Sequence, residues 1–282
     1  MILVCPTAFK GTFSPLEAAR KLANPGDRLL PLSDGGDGFL ECLQHRLGGE
    51  LRWQEAADPR GRMKPVPVLV LPDGTVAIEC AKTIGLAGLE ERDPMRASSR
   101  GLGELIATFV SAPRLWIGLG GSATVDGGRD WPPLKLPPTI AFCDVSTELR
   151  DAARIFGPQK GATNEELLLL TERLQSLNLP EGQHSGAAGG LGAKLRSLGA
   201  ELVGGAESML DLLGFEDACS GCAAVITGEG RLDASTLEGK LPWVVAKRAQ
   251  AIGLPVIGHF GSHGPGWESA STYFDEVRFG LD

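Results

Sequence analysis

A short apolar run, a glycine-rich loop and an amphipathic helix follow one another twice within residues 1–49, and the same order returns after residue 200. That rhythm leaves few folds open, because two parallel strands can pair only when a crossover, usually a helix, joins them. Ile2-Leu3-Val4 reads as the first buried strand. Ser14-Pro15-Leu16-Glu17 reads as a helix start, with Ser14 as N-cap, Pro15 at the first helical position and Glu17 closing a capping box. Phe9-Lys10-Gly11-Thr12 therefore falls in the loop between them, where Lys10 can face an anion. Arg28–Pro31 reads as a second strand and Asp34–Gly38 as its loop. Phe39, Leu40, Leu43 and Leu47 form one face of the next helix, which Gly48-Gly49 ends.

The densest stretch is Val225–Lys240. Ala223–Ile226 has the apolar, partly β-branched character of a buried strand, and Gly228 and Gly230 are expected to bring the backbone tightly round. Glu229, Arg231, Asp233 and Lys240 enter that opening before a helix with Pro242 near its start. Open α/β sheets place ligands in this way, at the carboxyl end of a strand.

The middle of the chain has another character. Leu51–Glu79 alternates β-like runs with the turns Asp58-Pro59-Arg60-Gly61 and Pro72-Asp73-Gly74, which predicts an antiparallel meander and a domain boundary around residue 56. Ser98–Val110 reads as a helix. Leu115-Trp116-Ile117 is a strand running into Gly118–Gly128, where Gly118, Gly120 and Ala123 satisfy G-x-G-x-x-A, so a dinucleotide site must be considered. Trp131–Pro138 is too proline-rich for the long helix such a turn feeds, and a nest of backbone N–H groups around a phosphate fits better. Thr139–Cys143 is a strand delivering Asp144, and Phe156–Ala162 is a turn presenting Lys160. Thr163 and Glu166 form another capping box, and His184–Gly192 is a small-residue run leading into a helix.

Charge and cysteine usage remove whole classes. A formal charge of -8 argues against non-specific nucleic-acid binding. Met1–Cys5 is too short for a signal-peptide core, and no apolar run approaches a membrane span. The six cysteines lie mostly in apolar runs, as expected for reduced core thiols of a cytoplasmic protein. Cys219 and Cys222 form a lone C-x-x-C without a second pair, and the four histidines show no metal spacing. Neither a G-x-x-x-x-G-K-[ST] loop, a protein-kinase signature set, a G-x-S-x-G elbow nor an H-E-x-x-H is present. Glycine loops, scattered lysines and strand-end aspartates suit phosphoryl transfer, which asks a protein mainly for positioning and charge stabilisation.

In order, Phe9-Lys10-Gly11, Asp34-Gly35-Gly36, Gly120-Gly121-Ser122-Ala123-Thr124 with Asp126-Gly127-Gly128, Cys143-Asp144-Val145, Phe156–Ala162, Gly186–Gly192 and Ile226–Asp233 with Gly239-Lys240 resemble the bacterial type I glycerate kinases. The resemblance implies ATP- and Mg²⁺-dependent phosphorylation of D-glycerate, generally to 2-phosphoglycerate. It also implies a two-domain α/β fold with the site in the cleft. A flavodoxin/Rossmann-like domain would be made of residues 1–55 and 200–282, with a second α/β domain, 56–199, inserted.

Carried over residue by residue, Lys10, Asp144 and Asp233 are catalytic candidates, with Asp233 also a metal ligand. Asp34, Gly120, Gly121, Ser122, Thr124, Lys160, Glu229 and Arg231 are candidates for substrate or nucleotide contact. A homodimer is compatible with the resemblance. The chain departs from the family pattern at Thr7-Ala8, Asp37, Val125, Ser146 and Ala234-Ser235, and is shorter around Trp131–Pro138 and at its C-terminal end. Two other readings stay open: a nicotinamide-dependent oxidoreductase using Gly118–Ala123, and a non-catalytic relative that binds a small acid.

Overall fold

The computed structural model describes residues 1–281 and divides into two compact units. One consists of Met1–Leu47 and the chain from Ala206 onward; the other is Gly48–Gly205. The first unit opens with β1 (Leu3–Val4) and β2 (Arg28–Leu29). The inserted stretch supplies β3 (Glu50–Ala57), β4 (Met63–Val70), β5 (Val76–Glu79), β6 (Leu115–Gly118), β7 (Thr139–Cys143) and β8 (Glu201–Gly204). The chain then returns with β9 (Val225–Leu232), β10 (Val256–His263) and β11 (Glu276–Phe279).

In the first unit the strand order is β11-β10-β9-β1-β2, with every pairing parallel. From β1 the chain winds outward to β2, and from β9 it winds the other way to β10 and β11. The seam between β1 and β9 is thus a topological switch point, the place where doubly wound sheets open a crevice at their carboxyl ends. Helix Pro15–Leu22 starts as its sequence dictates: Ser14 accepts from Glu17 N and the Glu17 carboxylate returns to Ser14 N at 2.8 Å. Phe39, Phe215 and Phe260 are wholly buried in this unit, each contributing about 1.5–3 kcal/mol of apolar burial.

β9 corrects the expected tight turn. The strand does not stop at Ile226 but runs to Leu232, paired with β10 from Val225↔Val256 to Leu232↔His263. Gly228 is there for close approach rather than for turning, since a Cβ on it would stand 1.7 Å from the carbonyl oxygen of His259. Glu229 and Arg231, two apart on a strand, consequently share one face.

In the second unit the order is β3-β4-β5-β6-β7-β8. β3, β4 and β5 are the antiparallel meander; β5 to β8 are parallel. β3 pairs with β4 from Glu50↔Val70 to Ala57↔Met63, so all of it lies in this unit, which begins at Gly48 and not near residue 56. Its core joins Val66, Ile78, Leu102, Ile106, Ile117 and Leu191. The helix expected over Ser98–Val110 is confined to Arg100–Ala107, and Gly101 lets it approach Ala57 O.

Candidate active site

The first unit gathers its charged side chains where β1, β2 and β9 end. Thr7 N donates to Gly228 O at 2.9 Å, and the Thr227 hydroxyl donates to Cys5 O at 3.0 Å, so the segment leaving β1 is stitched along β9. A tight turn follows β1: Phe9 N donates to Phe13 O at 2.9 Å, Thr12 N to Phe9 O at 2.8 Å, and Gly11 supplies a φ of 81°. Lys10 stands exposed at its tip. It borders a cavity of about 360 Å³ whose walls include Phe9, Phe13, Gly230 and Gly261. After β2, the Asp34 carboxylate accepts from Gly36 N at 3.2 Å. Burial pushes this carboxyl above its ordinary range, against the pull of the nearby Lys10 ammonium.

Beyond β9 the polar groups interlock. Lys240 Nζ lies 3.5 Å from Glu229 Oε2 and 3.7 Å from Asp233 Oδ1, and Arg231 Nε lies 3.8 Å from Asp233 Oδ2. Asp233 caps the short 3-10 turn Ala234–Glu238, accepting from Ser235 N at 3.0 Å and from the Ser235 hydroxyl. Thr236 donates its hydroxyl to Glu229 Oε1 at 2.9 Å. Burial drives the Glu229 carboxyl up, with Lys240 opposing. For Asp233 burial also pushes upward, but the Ser235 hydroxyl, Lys240 and Arg231 outweigh it and hold the carboxyl below the usual range. Asp233 is therefore a carboxylate at neutral pH.

The second unit has its own carboxyl edge. β5 ends at buried Glu79, β6 runs into the glycine loop, and β7 delivers exposed Asp144. The segment after Asp144 is fastened by the small-residue run: His184 Nδ1 meets Val145 O at 2.7 Å, and Leu149 N donates to Ser185 Oγ at 2.7 Å. With Nδ1 as donor, His184 is held in a left-handed turn at φ 67°.

The loop Gly120–Thr124 is clamped from both sides. Leu86 N donates to Gly121 O and Ala123 N to Ile84 O, each at 2.9 Å. On the other side, Lys160 Nζ donates to Ser122 Oγ at 2.9 Å and to Thr124 O at 2.8 Å. The backbone N–H groups of Gly120, Gly121 and Ser122 have no hydrogen-bond partner among the described residues, and neither does the buried Thr124 hydroxyl. Unpaired donors in a glycine loop with a cation beneath are the makings of an anion nest.

Lys160 itself corrects the expectation of a presented side chain: it is 4% exposed. The 3-10 turn Pro158–Lys160 ends at Gly161, whose φ of 97° and approach to Arg92 O turn the lysine inward. Burial lowers the ammonium to about 8, despite Cys80, Asp144 and Asp126 nearby.

A further network escaped the sequence reading. Asp126, 2% exposed, accepts from Ser99 N at 2.7 Å and the Ser99 hydroxyl at 2.9 Å, while Trp131 Nε1 donates to Ser99 Oγ at 2.8 Å. The one available signal was the Asp-Gly-Gly after the loop; its partner 27 residues earlier left none.

Lys10, Asp34, Glu229, Arg231 and Asp233 therefore stand at the carboxyl edge of the first unit's sheet. Gly120, Gly121, Ser122, Thr124, Asp144 and Lys160 stand at that of the second. The dinucleotide reading of Gly118–Ala123 fails on local structure. Among the described residues no helix follows β6, and the next regular element is β7.

The glycerate kinase family model matches residues 2–130 and 133–278. The chain belongs to the glycerate kinase family. Glycerate kinase of Halalkalibacterium halodurans is 32% identical over 342 residues, covering 99% of this chain and 90% of that one. Glycerate 2-kinase of Escherichia coli is 32% identical, covering 93% and 85%. A crystal structure of a Salmonella typhimurium LT2 protein assigned as glycerate kinase 2 superposes with a TM-score of 0.78 at 30% identity, covering 99% of this chain and 89% of that one. An alignment of 342 residues against a chain of 282 leaves at least 60 positions of the H. halodurans glycerate kinase without a counterpart here (342 less 282). The family match itself breaks at Trp131-Pro132, where the chain runs without helix or strand up to β7.

Proposed function

We propose that this kinase transfers the terminal phosphoryl group of ATP to a hydroxyl of D-glycerate, giving 2-phosphoglycerate. Family membership supports the reaction class, and one observation carries the assignment of parts: each sheet gathers ionisable side chains, with glycine loops among them, at the carboxyl ends of its parallel strands. Phosphoryl transfer needs positioned cations and dipoles more than covalent chemistry.

In this reading Asp144 accepts the glycerate hydroxyl proton from its place at the end of β7. Lys10 and Arg231 neutralise carboxylate or phosphate oxygens, and the free N–H groups of Gly120–Ser122 receive an anion. Asp34 orients the substrate, and Ser122 and Thr124 shape the loop that receives it. Glu229 sets Asp233 through the shared Lys240 ammonium, and Asp233 in turn pairs with Arg231.

Mg²⁺ fits the donor set near Asp233. Glu229 and Asp233 already share one cation, Lys240, at 3.5 and 3.7 Å, and Asp233 is ionised. Among the described residues no cluster of three or more carboxylate, imidazole or thiol groups forms a cage, so phosphate oxygens would complete the coordination, as is usual for this ion. Bound there, Mg²⁺ would supply neutralisation of nucleotide charge.

A coupled assay of ADP release with and without D-glycerate, followed by phosphorus NMR of the product, tests the proposal. ADP release independent of D-glycerate, or a 3-phosphorylated product, would contradict it at the step concerned.

A further inference from the structure

Among the described residues Lys160 is the one lysine that is buried, it lies against a glycine loop, and its bonding is already largely spent. Of three N–H donors, one goes to Ser122 Oγ and one to Thr124 O, on either side of Ala123. The Phe156 ring centroid lies 6.0 Å from Nζ, and the side chain is 4% exposed. The titratable groups facing it are Cys80 just after β5, Asp126 two residues after Thr124 and Asp144 just after β7. A charge held this far from water acts strongly on whatever its anchored loop receives.

We propose that Lys160 is a positioning residue: it holds the Gly120–Thr124 loop in its anion-receiving shape and adds positive potential beneath it, without touching the substrate. The inference rests on the kinase reading above and assigns Lys160 a different role from direct ligand contact. Two bonds on either side of Ala123 hold the carbonyl of Thr124 and the hydroxyl of Ser122 to the ammonium, while the N–H groups of Gly120–Ser122 keep no partner among the described residues. Burial brings the ammonium to about 8, so it loses its proton within the working range of most enzymes. Turnover therefore falls as pH rises through that value.

The test is steady-state kinetics of wild type and Lys160→Met over about pH 6.5 to 9.5, with amide hydrogen exchange of the loop. A positioning role predicts kcat lower by about 10²–10³-fold, with KM for ATP and for D-glycerate within roughly threefold. It also predicts loss of the alkaline limb near 8 and exchange of the loop amides faster by about tenfold or more. Ethylammonium added to Lys160→Ala restores part of kcat. A rise in KM at unchanged kcat would assign Lys160 to direct binding and overturn the inference, as would an alkaline limb that persists in the variant.

Should Lys160→Met fail to fold, Ser122→Ala removes one anchor and keeps the cation; wild-type kcat and exchange in that variant overturn the inference equally. Hydrogen exchange separates the two failures. A wild type without glycerate-dependent turnover refutes the kinase reading, whereas loop amides unchanged in Lys160→Met refute the positioning role whatever the activity.

Discussion

The indole N–H of Trp131 ends on the hydroxyl oxygen of Ser99, and that hydroxyl donates in turn to Asp126 at 2.9 Å. The relay holds down the far end of the glycine loop at the place where the match to the family breaks. Ser99→Ala strips the buried Asp126 carboxyl of a donor, so it is expected to cost about 1.5–3 kcal/mol. Trp131→Phe, which leaves the Ser99–Asp126 bond in place, costs about 1–2 kcal/mol. Urea denaturation of both variants checks the order; a costlier Trp131→Phe would show that the indole and not the carboxyl dominates.

Asp144→Asn keeps shape and removes the proton acceptor. The expected outcome is kcat reduced by about 10²–10⁴-fold with KM for glycerate little changed. Near-wild-type turnover would remove Asp144 from that role.

Asp58 closes the β3–β4 hairpin. Its Oδ1 accepts from Arg60 N at 2.8 Å and Arg62 N at 3.0 Å, and its Oδ2 from Arg62 Nε at 2.7 Å. Burial pushes the carboxyl up, but the Arg62 and Arg60 contacts outweigh it and hold it below the usual carboxylate range. A depressed acid stabilises fully above its unfolded value and loses that contribution as pH falls through the folded one. Asp58→Asn is thus expected to cost about 1–3 kcal/mol at neutral pH, an advantage of the wild type that vanishes in acid. Equal destabilisation at both extremes would rule out the charge as its origin.

Two glycines of β9 should behave oppositely. A methyl group on Gly228 would meet His259 O at 1.7 Å, whereas on Gly230 the nearest atom is Lys10 N at 3.4 Å. Gly228→Ala is expected to cost about 3 kcal/mol or more by overpacking backbone against backbone, while Gly230→Ala folds normally. Thermal melts of the pair decide it.

These particulars also separate what was legible in the sequence from what was not. The caps at Ser14 and Thr163 are local bonds between neighbours, and both form as the residue types require. β7 spans Thr139–Cys143 as the apolar run suggests, and strand-end logic puts Asp34, Asp144 and Arg231 at carboxyl edges. What escaped is set by distant partners. Gly228 needs its small size because of His259, the inward turn of Lys160 depends on Arg92 crowding Gly161, and Asp126 finds Ser99 from another element. No spacing rule within a short window carries that information. β11 left only the brief alternation Glu276-Val277-Arg278-Phe279, because its register with β10, Ile257↔Glu276 to Phe260↔Phe279, is a property of the sheet and not of four mostly exposed residues.

The pairing of Leu3 with Val225 has a consequence for how the polypeptide matures. During synthesis the first strand leaves the ribosome long before its central neighbour exists, so its hydrophobic edge waits through the making of the whole inserted unit. That inserted unit, contiguous from Gly48 to Gly205, can close its own core in the meantime. Nascent chains halted ahead of Val225 would hold a folded middle preceded by β1 and β2 with the β9-facing edge of β1 still open to aggregation, and chaperone capture should peak in that interval.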